Sequence, residues 1–290
     1  MNYRHGFHAG NFADLAKHAA LLAFLRLLRN EGKPVRVVDT HAGAGYYDLS
    51  NPDFARSKEA EAGIKYLLGS TVPDSLRPLG EYVRAKNAKA GFRDRIGIYP
   101  GSPTLVLDHR TPKDSYIGCE LRSDDFMLLA DRIEPLGQAF QQDGYRIAVQ
   151  VAEDSVENAE EGEEKSDLVY LIDPPFELPS DYAAIVDTLK AILSVRADAR
   201  ALVWLPLKDL ETFDAFLRHL ERDLMAEDTA PSVVISELRL RPLWNPMKMN
   251  GCALVAVNAP AELEDTLRQI AKDVVAVFGE GGGEARTWVL

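Results

Sequence analysis

Leu168 to Ile172 is an unbroken apolar run of aliphatic and aromatic residues, and Asp173, Pro174, Pro175 and Phe176 follow it directly. A short run that is apolar at every position suits a strand covered on both faces, as in a parallel sheet. The prolines end it at once, because they donate nothing to a ladder and fix φ. Asp173 and Phe176 are therefore expected on a stiff elbow at the carboxyl end of a strand, the edge where open α/β sheets bind ligands. Asp173 can accept a hydrogen bond from an amino group, and the Pro174 carbonyl can accept a second. Phe176 can stack on a flat ring. The set suits a planar heterocycle with an exocyclic amine, such as adenine. A strand-end aspartate that caps a helix is the plainer reading, so the rest of the chain has to decide.

Residues 35–39 read as a second strand, closed by Asp39 and followed by Thr40, His41, Ala42, Gly43, Ala44 and Gly45. A strand, an acid and a glycine-rich turn let backbone approach a ligand closely. A dehydrogenase would begin in the same way, but position 48 is Asp48 where its third glycine belongs. An S-adenosylmethionine site needs less, having no pyrophosphate to cradle. No helix and acid-tipped strand follow at the usual distance. Residues 50–98 read instead as a helical insert, with helices near 58–68 and 76–89 separated by Pro73. The pattern resumes at Ser102, expected as the N-cap of a helix with Pro103 in its first position. The strand at 115–120 ends in Glu120, placed to bind ribose hydroxyls; a solvated strand-end acid is the plainer alternative. A helix over 123–142 and a strand over 146–151 are expected next, putting Asp154 and Ser155 in the loop that meets the cofactor's adenine. Helix 181–193, strand 201–205, helix 209–224 and strands 232–241 and 251–257 complete the order. The last two strands form a hairpin, whose loop carries Trp244 and Lys248.

The fold class expected is α/β: a Rossmann-like class I methyltransferase sheet with a terminal antiparallel hairpin, in one domain over 1–290 with the helical insert at 50–98. A dehydrogenase sheet would not finish in a hairpin.

The start of the chain carries Tyr3, Arg4, His5 and His8, then a helix capped by Gly10 or Asn11 and bearing Lys17 and His18 near its start. His5 with His8, or Asp14 with His18, has metal-like spacing, but no cysteine or further carboxylate braces either pair, and no metal is expected. The net charge of −12 argues against a nucleic-acid partner. The average hides a basic cluster, however, at Arg84, Lys86, Lys89, Arg93 and Arg95. Cys119 and Cys252 give no disulfide framework, and no signal peptide or membrane-length apolar run is visible. A cytoplasmic protein, monomeric and without an obligate protein partner, is expected.

Asp173-Pro174-Pro175-Phe176 resembles the catalytic motif of amino-directed methyltransferases. The chain as a whole resembles the RlmJ-type 23S ribosomal RNA adenine-N6 methyltransferases. The resemblance rests on Tyr3-Arg4-His5, Phe7 to Asn11, Ala13-Asp14, Lys17-His18, Asp39 to Gly45, Tyr99 to Pro103 and Asp173 to Pro175, in that order and with the insert in place. It implies S-adenosylmethionine as cofactor, 23S ribosomal RNA as partner and adenine 2030 as target. It implies cofactor contacts from His18, His41, Ser102, Glu120, Asp154 and Asp173, beside Gly43, Gly45 and Ser155 of the same loops. Asp173 takes the catalytic position, with Pro174 and Phe176 beside it. Tyr3 is implied in positioning the RNA, and Arg4 and Lys17 are expected to help. The family motif ends in tyrosine where this chain has Phe176, and its Asp-Gly pair after the third strand is matched here to Asp154-Ser155. The rival readings are an adenine-N6 methyltransferase acting on DNA and a silent subunit that binds S-adenosylmethionine or RNA.

Overall fold

A computed structural model describes residues 5–157, 165–226, 230–244 and 249–290. Asn11 sets the first element. Its side-chain oxygen accepts from the Asp14 backbone N–H at 2.9 Å, satisfying one of the orphan donors at a helix start. The helix, α1 (Phe12–Glu31), stops at Gly32, whose φ of 79° is left-handed.

The chain continues through β1 (Val35–Asp39), β2 (Tyr46–Asp48), α2 (Pro52–Ala55), a π-helical turn (Glu61–Lys65), α3 (Tyr66–Gly69) and α4 (Arg77–Lys89). Then come β3 (Ile98–Pro100), α5 (Ser102–His109), β4 (Ser115–Cys119), α6 (Ser123–Ile133), β5 (Gln138–Phe140) and α7 (Gly144–Glu157). The remainder is β6 (Asp167–Ile172), α8 (Asp181–Val195), β7 (Arg200–Leu207), α9 (Leu210–Leu224), β8 (Val233–Arg239), β9 (Gly251–Val257), α10 (Glu262–Phe278) and β10 (Glu284–Val289).

The main sheet has the order β10-β8-β9-β7-β6-β1-β4-β5. It is parallel from β7 to β5 and antiparallel from β7 outward to β10. β6 is buried along its whole length. Leu168, Tyr170 and Ile172 pack on the face covered by α7, α8 and α9, while Val169 and Leu171 pack on the α1 and α10 face. Alternate side chains thus serve opposite layers, which is why the run has no polar position. β1 lies between β4 and β6, the point at which the strand order reverses, so a crevice opens at their carboxyl ends.

The helices of residues 52–89 leave this sheet without displacing it, because β2 and β3 pair antiparallel and bring the two ends of the excursion together. Ile64, Leu67, Leu76, Leu79 and Val83 join the cluster that holds Leu15, Leu21 and Phe24 of α1. The insert therefore shares the main core.

Four expectations are corrected. Residues 146–151 are the middle of α7, and the strand beside β4 is the shorter β5. The helix begun at Ser123 stops at Ile133, just before Pro135. Gly101 is the N-cap of α5, and Ser102 is its first residue. The β8–β9 hairpin is not terminal: α10 follows it, and β10 adds an eighth strand at the edge. Trp244 is 89 % exposed and covers no core. Tyr3, Arg4 and Lys248 lie outside the described residues. Among the described residues no helix is long and apolar enough to cross a membrane, and Cys119 and Cys252 are free and buried.

Candidate active site

The loop after β1 is stitched to both neighbouring strands. Thr40 N–H and its hydroxyl both donate to the Leu171 carbonyl at 3.0 Å, and Ala42 N–H donates to the Cys119 carbonyl at 2.9 Å. Gly43 and Gly45 have φ of 61° and 72°, so the turn needs residues without a Cβ. The Gly45 carbonyl accepts from Gly101 N–H at 3.0 Å and the Thr104 hydroxyl at 2.5 Å, which fixes α5 against the loop despite the intervening insert.

Asp39 is buried beneath this turn. Its carboxylate accepts from the Ser102 hydroxyl at 2.6 Å and the Tyr116 hydroxyl at 3.0 Å. Burial pushes its pKa up to about 6, against the lowering effect of those two bonds. A raised folded-state pKa means the stabilising contribution is present below the unfolded value and lost as pH rises through about 6. Asp39→Asn should therefore gain stability on the wild type at pH 7.5, by at most about 3 kcal/mol, and little at pH 4.5. Urea unfolding at both pH values checks this; an equal effect at both would contradict it.

A cavity of about 490 Å³ opens above this floor. His18, His41, Gly43, Ser102, Glu120 and Asp173 all line it, as does Lys17. His18 is buried and stacks on Tyr99, with Nδ1 2.8 Å from the phenol oxygen. Burial lowers its pKa to about 3, so it enters the site as a neutral ring. His41 sits edge-on to Tyr145, ring centroids 5.0 Å apart, and desolvation lowers it to about 4. One Glu120 oxygen accepts from Arg122 N–H at 2.7 Å, and burial pushes the carboxyl pKa upward.

Asp154 and Ser155 are not part of this cavity. Both lie in α7. Asp154 lines a separate cleft with Arg36 and Ser115. The Ser155 hydroxyl donates to the Ala152 carbonyl and accepts from Arg196. Their expected place is taken by Asp143 and Gly144, which follow β5 and line the cavity. Asp143 Oδ1 accepts from Tyr145 N–H at 2.9 Å. Gly144 lies so close to β1's loop that a Cβ would sit 1.9 Å from the Thr40 carbonyl oxygen. Gly45 also stays out of the cavity wall and acts through its carbonyl.

A second cavity, of about 370 Å³, adjoins the first and is lined by Pro174, Phe176, Trp204 and Met249. His5, Lys17, Asp173 and Pro175 border both. Phe176 holds a positive φ of 50°, and its ring packs at 4.9 Å from Tyr182 and 5.8 Å from Trp204. At the seam, Lys17 Nζ is hydrogen-bonded to Asp173 Oδ2 and lies 3.1 Å from Asp14 Oδ1. Asp14 also accepts from Gly10 N–H at 2.9 Å and pairs with His5 at 3.1 Å. Burial would push Asp14 up, but His5 and the Lys17 ammonium beside it hold it well below the usual carboxylate range.

The first cavity presents polar groups whose chemistry fits a nucleoside. Glu120 offers a carboxylate for a ribose diol, Asp143 one for an exocyclic amine, and the glycine turn offers backbone at close range.

Residues 32–290 match the family model described as ribosomal RNA large subunit methyltransferase D, RlmJ. The chain is 27% identical over 273 residues to ribosomal RNA large subunit methyltransferase J of Haemophilus influenzae, covering 93% of this chain and 91% of that protein. It is 28% identical over 272 residues to the Escherichia coli protein of the same name, with the same coverage. The crystal structure of a Legionella pneumophila protein shares the fold, with a TM-score of 0.81 at 24% identity over 97% of this chain and 98% of that one. With the family model matching nearly nine-tenths of its length and the methyltransferase sheet beneath it, this chain belongs to the RlmJ family of ribosomal RNA large subunit methyltransferases.

Proposed function

We propose that the chain methylates the exocyclic N6 amine of an adenine in large-subunit ribosomal RNA, with S-adenosylmethionine as donor. The observation that carries this reading is the seam: Asp173 stands where the two cavities meet, with the glycine turn on one side and Pro174 and Phe176 on the other.

S-adenosylmethionine supplies a methyl group on a sulfonium, with a neutral thioether as leaving group. Glu120 and Asp143 hold the nucleoside end of the first cavity, and His18, Ser102 and His41 form its walls. The adenine N6 lone pair is delocalised into the ring, so the amine is a poor nucleophile. Asp173 and the Pro174 carbonyl accept its two hydrogens, draw the nitrogen towards sp3 geometry and aim its lone pair at the first cavity. Lys17 holds Asp173 Oδ2, which leaves Oδ1 to the amine. Once the nitrogen has gained its methyl group it becomes acidic, and Asp173 takes the proton. Positioning and fixed charge carry most of the rate. The target base must leave any stack, which costs a few kcal/mol. Stacking against Phe176 returns about 1–3 kcal/mol, so an adenine in an unpaired region is favoured.

Transfer from labelled S-adenosylmethionine to unmodified 23S ribosomal RNA, followed by nucleoside digestion, tests this. N6-methyladenosine is the expected product. Label in DNA alone, or none in either, would overturn the reading.

RNA reaches a chain of charge −12 through the insert. Not all of its cations are available. Arg84 donates to the Leu68 carbonyl and Lys86 pairs with Asp108. Lys89, Arg93 and Arg95 are exposed, with Arg95 over the Phe92 ring. Changing these three to glutamine should weaken RNA binding and flatten its logarithmic salt dependence by about 2–3. An unchanged slope would remove the insert surface from the model.

A further inference from the structure

The insert also reaches the second cavity, through the N-terminal segment. Glu59 accepts from His8 Nδ1 and Asn11 Nδ2, each at 2.9 Å. Ile64 N–H donates to the Gly10 carbonyl at 2.8 Å. Gly63 lies flush on that carbonyl, where a Cβ would come within 2.0 Å of the oxygen. The approach is made by the π-helical turn, in which Gly63 leaves helical geometry with φ −103° and ψ −106°. Such turns are rare and often accompany functional sites. Phe54 completes the grip: its ring fills the space a Gly6 Cβ would need and meets Phe7 edge-on at 5.4 Å.

The gripped segment has little structure of its own, only a 3₁₀ turn over His5–Phe7. A segment with so few hydrogen bonds of its own keeps its place through the contacts it makes with the rest of the fold. What it carries borders the reaction. His5 lines both cavities and pairs with Asp14, which holds Lys17, which holds Asp173. Asn11 is at once the Glu59 partner and the N-cap of α1, so the same side chain sets the start of the helix that presents Asp14 and Lys17.

We infer that Glu59 is a positioning residue for the RNA acceptor: its carboxylate clamps residues 5–11 to the insert, so that the insert shapes the acceptor cavity. Glu59 itself lines that cavity. The inference rests on the acceptor being a nucleotide of RNA, as proposed above. It separates two roles of the insert, since the cations at 89–95 act on phosphate from outside whereas Glu59 acts through His8 and Asn11.

The test uses the full chain with Glu59→Ala, Glu59→Gln and Glu59→Asp. Glu59→Ala should raise KM for RNA about tenfold, the size expected for lost charge-assisted hydrogen bonds. It should leave kcat within about threefold, and Kd for S-adenosylmethionine and Tm near the wild-type values. Amides of residues 6–11 should exchange faster, Glu59→Gln should fall between, and Glu59→Asp should restore part of the loss. An unchanged KM in Glu59→Ala overturns the positioning role, as does a fall in Tm that accounts for the whole loss of activity. A wild type that methylates no RNA sinks the functional reading instead, and the exchange rates of residues 6–11 then decide the clamp.

Discussion

Replacing Asp173 with asparagine should cut kcat for methyl transfer by about 10²–10³-fold. The carboxylate is asked to do three things that the amide cannot do together. It accepts from the amine as an anion, it holds the Lys17 ammonium, and it takes the proton released after transfer. Asparagine keeps the shape and one acceptor oxygen, so the cavities should survive. Lys17 also keeps Asp14 at 3.1 Å, and no buried cation is stranded. Kd for S-adenosylmethionine should therefore move by no more than a few-fold, as calorimetry would show. Single-turnover transfer to RNA gives the rate. A variant within tenfold of the wild-type kcat would remove Asp173 from the chemistry and leave it a cavity wall.

That residue was legible because its signal is local. An apolar run closed by two prolines fixes a strand, its end and the side chains standing on that end. The glycine turn is local in the same sense. The elements that flank them failed for a physical reason. β5 has only Gln138, Ala139 and Phe140 and carries no apolar run. In α7, Ile147, Val149 and Val151 alternate like a strand, whereas the helix buries Ile147, Ala148, Val151 and Ala152. A short sequence satisfies both periods, and tertiary packing chose. One misread element put Asp154 and Ser155 in the expected loop, where the structure has Asp143 and Gly144.

Pairings across long separations were not legible at all. Lys17 and Asp173 are 156 positions apart, and Glu59 finds Asn11 across 48. No spacing rule reaches that far. Lys17 carried a signal of charge but not of partner, and it was expected to touch substrate. Its place at the seam, bonded to Asp173, adds orientation of that carboxylate to the roles it can be tested for.

Lys17→Met is the variant in which that role should be plainest. Lys17 is 14% exposed and lies against Asp14, which is 3% exposed. Removing the cation leaves buried carboxylate charge with fewer partners, which costs about 3 kcal/mol or more. Gly10 N–H and His5 still hold Asp14, so the lower end is expected, a Tm loss on the order of 5–10 °C. The sign with pH follows from Asp14. Its depressed pKa contributes stability that is present above the unfolded value and lost as pH falls through the folded one. Lys17 is one source of that depression, so in Lys17→Met the loss begins at a higher pH, and the penalty relative to wild type is greatest near neutrality. For catalysis the argument is one of shared action. If Lys17 works through Asp173, Lys17→Met lowers kcat about 10–100-fold, and adding Asp173→Asn takes it no lower than Asp173→Asn alone. The double variant should also regain stability over Lys17→Met, because one of the two stranded charges has gone. Additive losses in kcat would mean that Lys17 meets the RNA on its own account, as its place in both cavities also permits, and the orienting role would fall.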